Sequence, residues 1–184
     1  MDTIAIDITR AKAIDGFMSE PELLWLAAQA REHSVIVEIG SYLGRSTRAM
    51  LDHTNGIIYA IDDWKGPRDI YLSKEERDTL FSKFCANLKD SLNWDNLITL
   101  HLDFAMIPNW ILFGTNDQVD MVFIDGDHNY EYVKRDILFW KNKLSKGGLI
   151  CGHDINFPEV RLAVTELLMD YDVAENTSIW YKHV

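Results

Sequence analysis

Acidic side chains recur where the apolar runs of this 184-residue chain end. Each of five apolar runs carries at least one acid at or near its end, and the polar residues found there are Glu38, Asp62, Asp63, Asp103, Asp125, Asp127, His128, His153 and Asp154. If the runs are parallel strands of one sheet, their carboxyl ends meet at one edge, where ligands bind in such sheets. Carboxylates gathered there can hold a hard cation or accept hydrogen bonds from ligand hydroxyl groups.

Two of these acids, Asp125 and Asp154, are the strongest candidates for a metal site. Adjacent central strands would bring both carboxylates to one rim, and Mg²⁺ or another divalent cation is often held by one or two carboxylates. Asp127 or Asn156 would then supply a further ligand, although Asn156 fits a helix N-cap better. Histidine titrates near neutral pH, which makes His128 a candidate general base, with a solvated loop histidine as the alternative.

A glycine-containing turn follows the first apolar run, in the segment V-I-V-E-I-G-S-Y-L-G-R-S-T from Val35 to Thr47. Gly40 and Gly44 let the backbone turn sharply and approach a ligand where a side chain would collide. The Gly-x-x-x-Gly spacing lacks the Gly-x-Gly-x-x-Gly register of dinucleotide-binding turns, and Glu38 is a poor neighbour for a phosphate. The turn therefore favours a cationic ligand, with an ordinary tight strand-to-helix turn as the alternative.

Further positions are typical of a nucleoside site. Asp62 lies about two dozen residues beyond the end of the first run, where a carboxylate can accept hydrogen bonds from both ribose hydroxyls. Asp103 can accept one from an adenine amino group while Phe104 packs on the base, although an Asp at a strand-to-helix junction is as often a helix N-cap. Trp64 and the loop from Lys65 to Leu72 are either a lid over the site or a long surface connection.

Length and composition indicate one globular domain. With 47% hydrophobic residues the chain can bury a real core, and it contains neither an apolar run of membrane-spanning length nor a recognisable signal peptide. Its 18 basic and 29 acidic residues give a formal charge of −11, which opposes binding to nucleic-acid phosphates. The two cysteines lack Cys-x-x-Cys spacing and are expected to be free. We expect a cytoplasmic protein, monomeric or homo-oligomeric, whose partner is a small molecule and neither a nucleic acid nor a membrane.

Strand-like and helix-like segments alternate along the chain without repeats or linkers. The pattern predicts strands at 35–39, 57–61, 97–102, 120–125 and 149–152, then one or two more at 173 and 178–183. Two helices are predicted to begin at capping boxes, Ser19–Glu22 and Ser73–Glu76. Two more are predicted at 46–53 and 105–113, and one from Asn156 to about 170. A further helix is predicted to run from Tyr130 past Leu144 and to end at Lys146-Gly147-Gly148. This order predicts an α/β fold: a single Rossmann-like, doubly wound, mostly parallel seven-stranded sheet with helices on both faces.

Several of these segments together resemble the class I S-adenosylmethionine-dependent methyltransferases. They are Val37-Glu-Ile-Gly-x-Tyr-x-Gly-x-Ser46, Asp62, Phe123-Ile-Asp-Gly-Asp-His-x-Tyr130, Lys146-Gly-Gly-Leu-Ile and His153-Asp154. The resemblance is strongest to the family 24 group that includes macrolide-sugar O-methyltransferases, and more distant to catechol O-methyltransferase. It implies one methyltransferase domain over residues 1–184, with an N-terminal helical segment at 1–33, a cofactor-binding core at 35–155 and a C-terminal helix and strands at 156–184.

The resemblance also implies roles for individual residues. Those that would hold the methionine end of S-adenosylmethionine are Glu38, Gly40, Ser41, Tyr42, Gly44 and Ser46. Those that would hold its adenosine are Asp62, Asp63 and Trp64 near the ribose and Asp103 and Phe104 near the adenine. Asp125 and His128 would be the catalytic residues, with His128 as the base, as in the sugar methyltransferases. Asp125 would also lie beside the cofactor and take the metal positions together with Asp154. Ile155 and His153 depart from the family pattern around the second metal Asp, so the resemblance implies no third ligand.

The resemblance favours an aliphatic or sugar hydroxyl over a catechol as the acceptor, with metal-assisted O-methylation as the reaction. Two other function classes are considered. A nicotinamide-dependent oxidoreductase is disfavoured by the missing glycine register and by the acid in the turn. A non-catalytic Rossmann-like module that binds S-adenosylmethionine without turnover is the expectation if a metal ligand has been lost.

Overall fold

The computed structural model of the chain describes residues 5–67, 70–102 and 119–184. The strands of this part are β1 (Val35–Ile39), β2 (Ile57–Asp62), β3 (Leu97–His101), β4 (Val119–Ile124), β5 (Leu144–Gly152), β6 (Asp172–Val173) and β7 (Trp180–His183). Its helices are α1 (Thr9–Lys12), α2 (Glu20–Glu32), α3 (Arg45–Leu51), α4 (Lys74–Leu88), α5 (Tyr130–Lys141) and α6 (Pro158–Leu168), with a 3₁₀ turn at Trp94–Asn96. None of these helices is both long enough and apolar enough to cross a membrane.

The strands of the described residues form one sheet in the order β3-β2-β1-β4-β5-β7-β6. Strands β1 to β5 are parallel, β7 is antiparallel to β5, and β6 is antiparallel to β7. The strand order reverses between β1 and β4, and in doubly wound sheets ligands bind in the crevice at such a reversal. Ile39 pairs with Ile124, and Ile124 pairs with Gly152, so the three central strands end at the same level.

Helices cover both faces of the sheet because successive strand residues point to opposite sides. On one face, Ile36 and Ile58 share a core with residues of α2 and α3, and α4 packs Phe84 with Ala60 of the same face. On the other face, Val37 shares a core with residues of α5 and α6. The predicted α/β, doubly wound, mostly parallel seven-stranded sheet is therefore confirmed.

Most predicted elements are present, with ends that differ from the predicted ones by about two residues at most, a normal spread for element boundaries. Both predicted capping boxes, Ser19 with Glu22 and Ser73 with Glu76, begin helices in the structure. The helix predicted at 105–113 lies outside the described residues.

The start of β5 is where the prediction is wrong. The helical pattern predicts that Leu144 continues α5 and that Gly147 ends it, but α5 ends at Lys141 and β5 begins at Leu144. Gly147 has a φ of +83°, and its N–H donates a hydrogen bond to the Val184 carbonyl at 2.5 Å. The register against β4 also shifts after Val119, as at a β-bulge. Glycine is typical of bulges as well as of helix ends, and here long-range strand pairing decides the structure.

The predicted N-cap of α6 is also wrong. Phe157, not Asn156, occupies the N-cap position, and no side chain caps the helix. Pro158 is the first helical residue, and a proline drives the residue before it into extended backbone while lacking an N–H that would need a partner. Asn156 is exposed just before this start.

The turn between β1 and α3 has no room for a side chain at its first glycine. Gly40 has a φ of +90°, and a Cβ there would lie 2.1 Å from the carbonyl oxygen of Asp125 and 2.8 Å from the Cα of Gly126. Main-chain hydrogen bonds hold the same place: the Gly40 N–H donates to the Ile61 carbonyl at 2.9 Å, and the Asp125 N–H donates to the Ile39 carbonyl at 2.8 Å. The turn therefore packs directly against the end of β4.

A buried carboxylate lies beneath this turn. Glu38 is fully buried, and its oxygens accept hydrogen bonds from the hydroxyls of Ser41 and Ser46, at 2.6 Å each, and from the hydroxyl of Thr47. Burial disfavours the charged acid and outweighs the three hydroxyls, so the pKa of Glu38 is raised to about 7. The carboxyl group connects β1, the turn and the first turn of α3.

We predict that Gly40→Ala lowers the free energy of unfolding at least twice as much as Gly147→Ala. Both glycines have positive φ, so alanine at either position incurs the cost of about 1–2 kcal/mol of the left-handed region. The substitution at Gly40 adds a collision with main-chain atoms, whereas nothing lies within 4 Å of a Cβ built on Gly147. Urea unfolding measures both losses, and equal losses would contradict the close packing of the turn on β4.

We predict that the stability difference between the wild type and Glu38→Gln depends on pH. Because folding raises the pKa of Glu38 from its ordinary 4.5 to about 7, its stabilising contribution is complete below pH 4.5 and is lost as the pH rises through 7. The loss corresponds to about 3 kcal/mol. Glutamine does not titrate, so urea unfolding at a series of pH values should show the wild type falling relative to the variant. A constant difference would refute the buried, proton-binding state of Glu38.

Candidate functional site

The carboxyl edge of the sheet collects the residues that the sequence predicts for a site. Asp62 ends β2, Asp125 directly follows β4, and His153 and Asp154 directly follow β5. A small cavity opens at the ends of β4 and β5, and the polar residues that line it include Asp125, Asp127, His128, His153 and Asp154. The glycine turn after β1 adjoins this edge through the contact of Gly40 with Asp125.

Asp62 links the end of β2 to the glycine turn. Its side chain is 9% exposed, and its two oxygens accept hydrogen bonds from the backbone N–H groups of Tyr42, at 2.8 Å, and Trp64, at 2.6 Å. Burial raises the pKa of Asp62 although these two N–H groups oppose the rise. The carboxylate is thus fixed in direction by one bond on each oxygen.

The neighbours of Asp62 play different parts. Asp63 points to its own loop, where its carboxylate accepts from the Lys65 N–H at 2.9 Å and pairs with the Lys65 ammonium at 3.3 Å. Trp64 is 3% exposed, packs on Phe81 and Phe84, and donates its indole N–H to the Tyr42 carbonyl at 2.9 Å. Trp64 is therefore a core residue, and the interpretation of its side chain as part of a lid is wrong.

The turn residues predicted for the methionine end lie together, but they offer different groups. The hydroxyls of Ser41 and Ser46 point to the buried Glu38, and none of these three residues has a side chain that is open to the surface. Tyr42 has a φ of +44°, keeps a partly exposed ring and stacks on Phe17 with ring centroids 6.0 Å apart. Asp103 and Phe104, predicted for the adenine, lie outside the described residues.

The carboxylates of Asp125 and Asp154 face one nitrogen of the His153 imidazole. The Nδ1 of His153 lies 3.2 Å from Oδ2 of Asp154 and 3.5 Å from Oδ1 of Asp125. On the other side of the ring, Nε2 lies 3.0 Å from Oε1 of Glu22 and 2.8 Å from Oγ of Ser178. Among the described residues, Asp125, His153 and Asp154 are a group whose ligand atoms, all within 4.8 Å of one another, are placed to hold a metal ion.

The charges in this cluster are coupled. Burial raises the pKa of Asp125. Burial also opposes the charged form of His153, but hydrogen bonds to Asp125, Asp154 and Glu22 raise its pKa to about 12. Asp154 is partly buried, and hydrogen bonds from His128 and His153 hold its pKa below the ordinary value. With its pKa raised this far, His153 is an imidazolium whose positive charge balances the acids at this edge.

His128 is held from two sides. Its Nε2 lies 2.8 Å from Oδ2 of Asp154, and its ring stacks on that of Phe157 with centroids 4.4 Å apart and planes 24° apart. About a third of the His128 side chain is exposed. Asp154 itself has a φ of +60°, which is costly for a residue other than glycine and is typical of functional sites. His128 therefore lies beside Asp154, and its role as a base stays a prediction.

Of the two further metal ligands considered from the sequence, Asp127 and Asn156, Asp127 does not join the group of Asp125, His153 and Asp154. The Oδ1 atom of Asp127 instead accepts a hydrogen bond from the Asn129 N–H at 2.7 Å, and Asn156 is exposed.

The roles of two residues in this cluster are not predicted from the sequence. His153 is predicted only as the neighbour of a metal ligand, although its position directly after a strand was a usable signal. Glu22 is predicted only as half of a capping box, and nothing local indicates more, because its partner Ser178 is 156 residues away.

A family model and a curated relative both match this chain in sequence. Residues 37–155 match a family model described as a methyltransferase domain. The uncharacterised protein R132 of Acanthamoeba polyphaga mimivirus is 28% identical over 138 residues, which cover 73% of this chain and 59% of that protein. The chain thus spans less than two thirds of the length of this curated relative.

Solved methyltransferase structures share the fold. The O-methyltransferase TomG from Streptomyces achromogenes, involved in tomaymycin synthesis and solved with S-adenosylmethionine, matches with a TM-score of 0.70 at 15% identity, covering 100% of this chain and 92% of TomG. CalS11, a TDP-rhamnose 3′-O-methyltransferase of calicheamicin biosynthesis, matches with a TM-score of 0.63 at 14% identity, covering 88% and 78%. An RNA methyltransferase from Salinibacter ruber matches with a TM-score of 0.57 at 15% identity, covering 92% and 94%.

At these identities the structural matches establish the fold and leave the acceptor open. The family model goes further, because residues 37–155 are more than half of the chain and include the glycine turn, Asp62, Asp125 and Asp154. This protein therefore belongs to the S-adenosylmethionine-dependent methyltransferase family.

Proposed function

We propose that the protein transfers the methyl group of S-adenosylmethionine to a hydroxyl group of a small-molecule acceptor. The observation that carries the proposal is the meeting of three features at one sheet edge: the glycine turn, the buried Asp62, and the Asp125–Asp154 pair with His128 bonded to Asp154. S-adenosylmethionine supplies an electrophilic methyl group. The protein has to place this group in line with the acceptor oxygen and remove the acceptor proton, and the edge carries groups suited to both tasks.

Asp62 is proposed to bind the ribose. A carboxylate has about four lone-pair sites, and the two backbone N–H groups on Asp62 use one on each oxygen. Two sites therefore remain for the ribose hydroxyls, while the backbone bonds hold the oxygens in place. Asp63 is assigned a supporting place beside this site, and Asp103 and Phe104 remain predictions for the adenine.

The methionine end is assigned to the main chain of Gly40 to Gly44 and to Tyr42. Glu38 is proposed to act from beneath the turn. Its carboxyl group orders the hydroxyls of Ser41 and Ser46, so these three residues shape the backbone that a ligand would contact. This arrangement assigns Glu38 an indirect role in place of the direct contact that the family resemblance implies.

His128 is proposed as the catalytic base. Its bond to Asp154 and its stacking on Phe157 fix the plane of the ring, which keeps a proton acceptor oriented at the rim of the cavity. A positioned base contributes about 10²- to 10⁴-fold in rate. Placement of the two reactants contributes on the order of 7–11 kcal/mol. An aliphatic hydroxyl as weakly acidic as water, with a pKa of about 15.7, demands more help than a phenol near 10.

Asp125, Asp154 and the Nδ1 of His153 fit a divalent cation. Their ligand atoms lie within 4.8 Å of one another, and the opposite nitrogen of His153 faces Glu22, as metal-bound histidines commonly face a carboxylate. Two carboxylates and an imidazole suit a first-row transition-metal ion better than Mg²⁺, which prefers oxygen ligands. Such an ion, when bound, would make an acceptor hydroxyl more acidic. Because Nδ1 must lose its proton to become a ligand, the ion and that proton exclude each other.

The acceptor is proposed to be a sugar or natural-product hydroxyl. TomG and CalS11, which share the fold, act in tomaymycin synthesis and on TDP-rhamnose. The net charge of −11 argues against an RNA acceptor of the kind that the Salinibacter ruber enzyme uses. Cys85 and Cys151 are free thiols, which suits a reducing compartment, and we propose the cytoplasm as the site of action.

We predict that Asp62→Asn raises the dissociation constant of S-adenosylhomocysteine by about 100-fold, because weakening two hydrogen bonds to a charged acceptor costs about 3 kcal/mol. Titration calorimetry measures the change. Asp172→Asn, at an exposed position of β6, is the control and should bind like the wild type. Thermal unfolding of both variants separates lost binding from loss of the Tyr42 and Trp64 bonds. A dissociation constant that Asp62→Asn leaves unchanged removes Asp62 from the cofactor site.

We predict that Asp154→Asn and His128→Gln impair different steps. Asp154→Asn should weaken Mn²⁺ binding, measured by water-proton relaxation, together with methyl transfer. His128→Gln should retain Mn²⁺ and cofactor binding, lower methyl transfer by about 10²- to 10⁴-fold, and remove the ascending limb of the pH–rate profile.

The assay for both variants uses S-adenosylmethionine labelled in the methyl group and a panel of hydroxylated sugars, phenols and small acids. Acceptor-dependent labelled product from the wild type supports the proposed function, and its absence across the panel with bound cofactor favours a binding module. Equal Mn²⁺ binding by the wild type and an Asp125→Asn, Asp154→Asn double variant would show the metal assignment to be wrong.

A further inference from the structure

Arg45 holds the loop that connects α1 to α2 (residues 13–18, the α1–α2 loop) against the glycine turn. Arg45 directly follows this turn and is the first residue of α3. Its guanidinium donates hydrogen bonds to three carbonyls at or beside the two ends of the loop, those of Lys12 (2.9 Å), Ile14 (2.5 Å) and Met18 (2.9 Å). All three acceptors are neutral main-chain oxygens, so the bonds fix the course of the loop backbone.

The α1–α2 loop is anchored at both ends and exposed in between. Ile14 is buried in a core cluster with Trp64, and Met18 is buried in another cluster with residues of α2. The methylene stem of Arg45 lies beside the middle of the loop, because a Cβ built on Gly16 would lie 3.0 Å from the Cδ of Arg45. The loop is therefore held in one course while the residues between its anchors stay at the surface.

The exposed part of the loop carries an aromatic ring. Phe17 is 66% exposed, and its ring stacks on that of Tyr42 in the glycine turn. The described residues contain one other exposed phenylalanine, Phe157, and its ring stacks on His128. Both exposed phenylalanines thus adjoin side chains of the proposed site, and ligand pockets are lined mainly by apolar and aromatic groups. Burial of apolar surface is favourable, so the ring of Phe17 is a surface that a bound ligand can cover.

We propose that Phe17 covers the methionine end of S-adenosylmethionine, and that Arg45 acts through Phe17 as a positioning residue for cofactor binding. The inference rests on the proposed function, which assigns the methionine end to the glycine turn and Tyr42. The ring of Phe17 extends the surface of the Tyr42 ring, so the methylene groups of the methionine end can pack on both. The covering ring also keeps water from the hydrogen bonds that the turn makes with the ligand.

The two stacked rings are supported differently, which gives Arg45 its part. The main chain of Tyr42 is fixed on both sides, because its N–H donates to Asp62 and its carbonyl accepts from the indole of Trp64. The backbone of Phe17 makes no hydrogen bond of its own within the described part of the chain, and it is held through the next carbonyl, which accepts from Arg45. Loss of the guanidinium therefore releases Phe17 while Tyr42 keeps its place.

The test compares two ligands that differ at the methionine end. Titration calorimetry measures the dissociation constants of S-adenosylhomocysteine and of 5′-methylthioadenosine, which keeps the adenosine and the sulfur but lacks the amino-acid end. Phe17→Ala should raise the dissociation constant of S-adenosylhomocysteine about 10-fold and leave that of 5′-methylthioadenosine unchanged. Leu92→Ala, which truncates a fully exposed side chain in the connection before β3, is the control and should bind both ligands like the wild type.

Arg45→Met keeps the apolar stem of the side chain and removes the guanidinium. It should raise the dissociation constant of S-adenosylhomocysteine about 5-fold, and Arg45→Lys, which keeps a donor, should restore part of the loss. Added to Phe17→Ala, Arg45→Met should cause little further loss, because residues that act through one contact are not additive. Arg31→Met is the control, since Arg31 donates to the Ala5 carbonyl from the last turn of α2.

Three results would overturn the inference: S-adenosylhomocysteine binding that Phe17→Ala leaves unchanged, an equal loss of both ligands, or losses that add in the double variant. If Arg45→Met does not fold, Arg45→Lys takes its place in the double variant. A wild type that does not bind S-adenosylhomocysteine would contradict the proposed function and this inference together. Equally tight binding by the wild type and by the variants of Phe17 and Arg45 would contradict this inference alone.

Discussion

The absence of a side chain at Gly40 is the constraint on which the site depends. A Cβ at this position would lie 2.1 Å from the carbonyl oxygen of Asp125, so the turn after β1 and the end of β4 can touch only through bare backbone. That contact joins the half of the edge proposed for the cofactor to the half that carries Asp125 and Asp154. Glu38 supports the turn from below by accepting hydrogen bonds from three hydroxyl groups, which tie the turn to β1 and to the start of α3.

The second requirement is charge balance at an acidic edge. Three carboxylates, from Glu22, Asp125 and Asp154, approach one imidazole. The fully buried Glu38 accepts hydrogen bonds from three hydroxyls, and burial raises its pKa to about 7, so it binds a proton more readily than an ordinary carboxyl group. Unpaired buried charges cost several kcal/mol each, so a chain of net charge −11 cannot gather these acids without such partners. His153 therefore has a structural task in the free protein, whatever ion or acceptor the edge receives.

Much of the fold and part of the site follow from sequence because they depend on local patterns. Near-continuous apolar runs mark buried parallel strands, and acids at their ends mark the ligand edge. Leu144 is predicted wrongly because its helical spacing is overruled by pairing with β4 and the chain end. The roles of His153 and Glu22 cannot be predicted from local sequence patterns for the same reason. They depend on contacts across the fold, including one between residues 156 apart in the sequence. The sequence leaves Trp64 open between a lid and a surface connection, and the buried position of its side chain could not be predicted, because an aromatic after a strand end has no local signal that distinguishes a loop from a core position.

The central claim is that the edge formed by the glycine turn, Asp62 and the Asp125–Asp154 pair is a methyl-transfer site. A crystal structure of the protein with S-adenosylhomocysteine tests it most directly. The account predicts that the ribose hydroxyls lie within hydrogen-bond distance of the Asp62 carboxylate, that the amino-acid end lies along Gly40 to Gly44, and that the sulfur faces the cavity beside Asp125 and His128. Binding of the ligand at another edge of the sheet, or a ribose that makes no contact with Asp62, would contradict it.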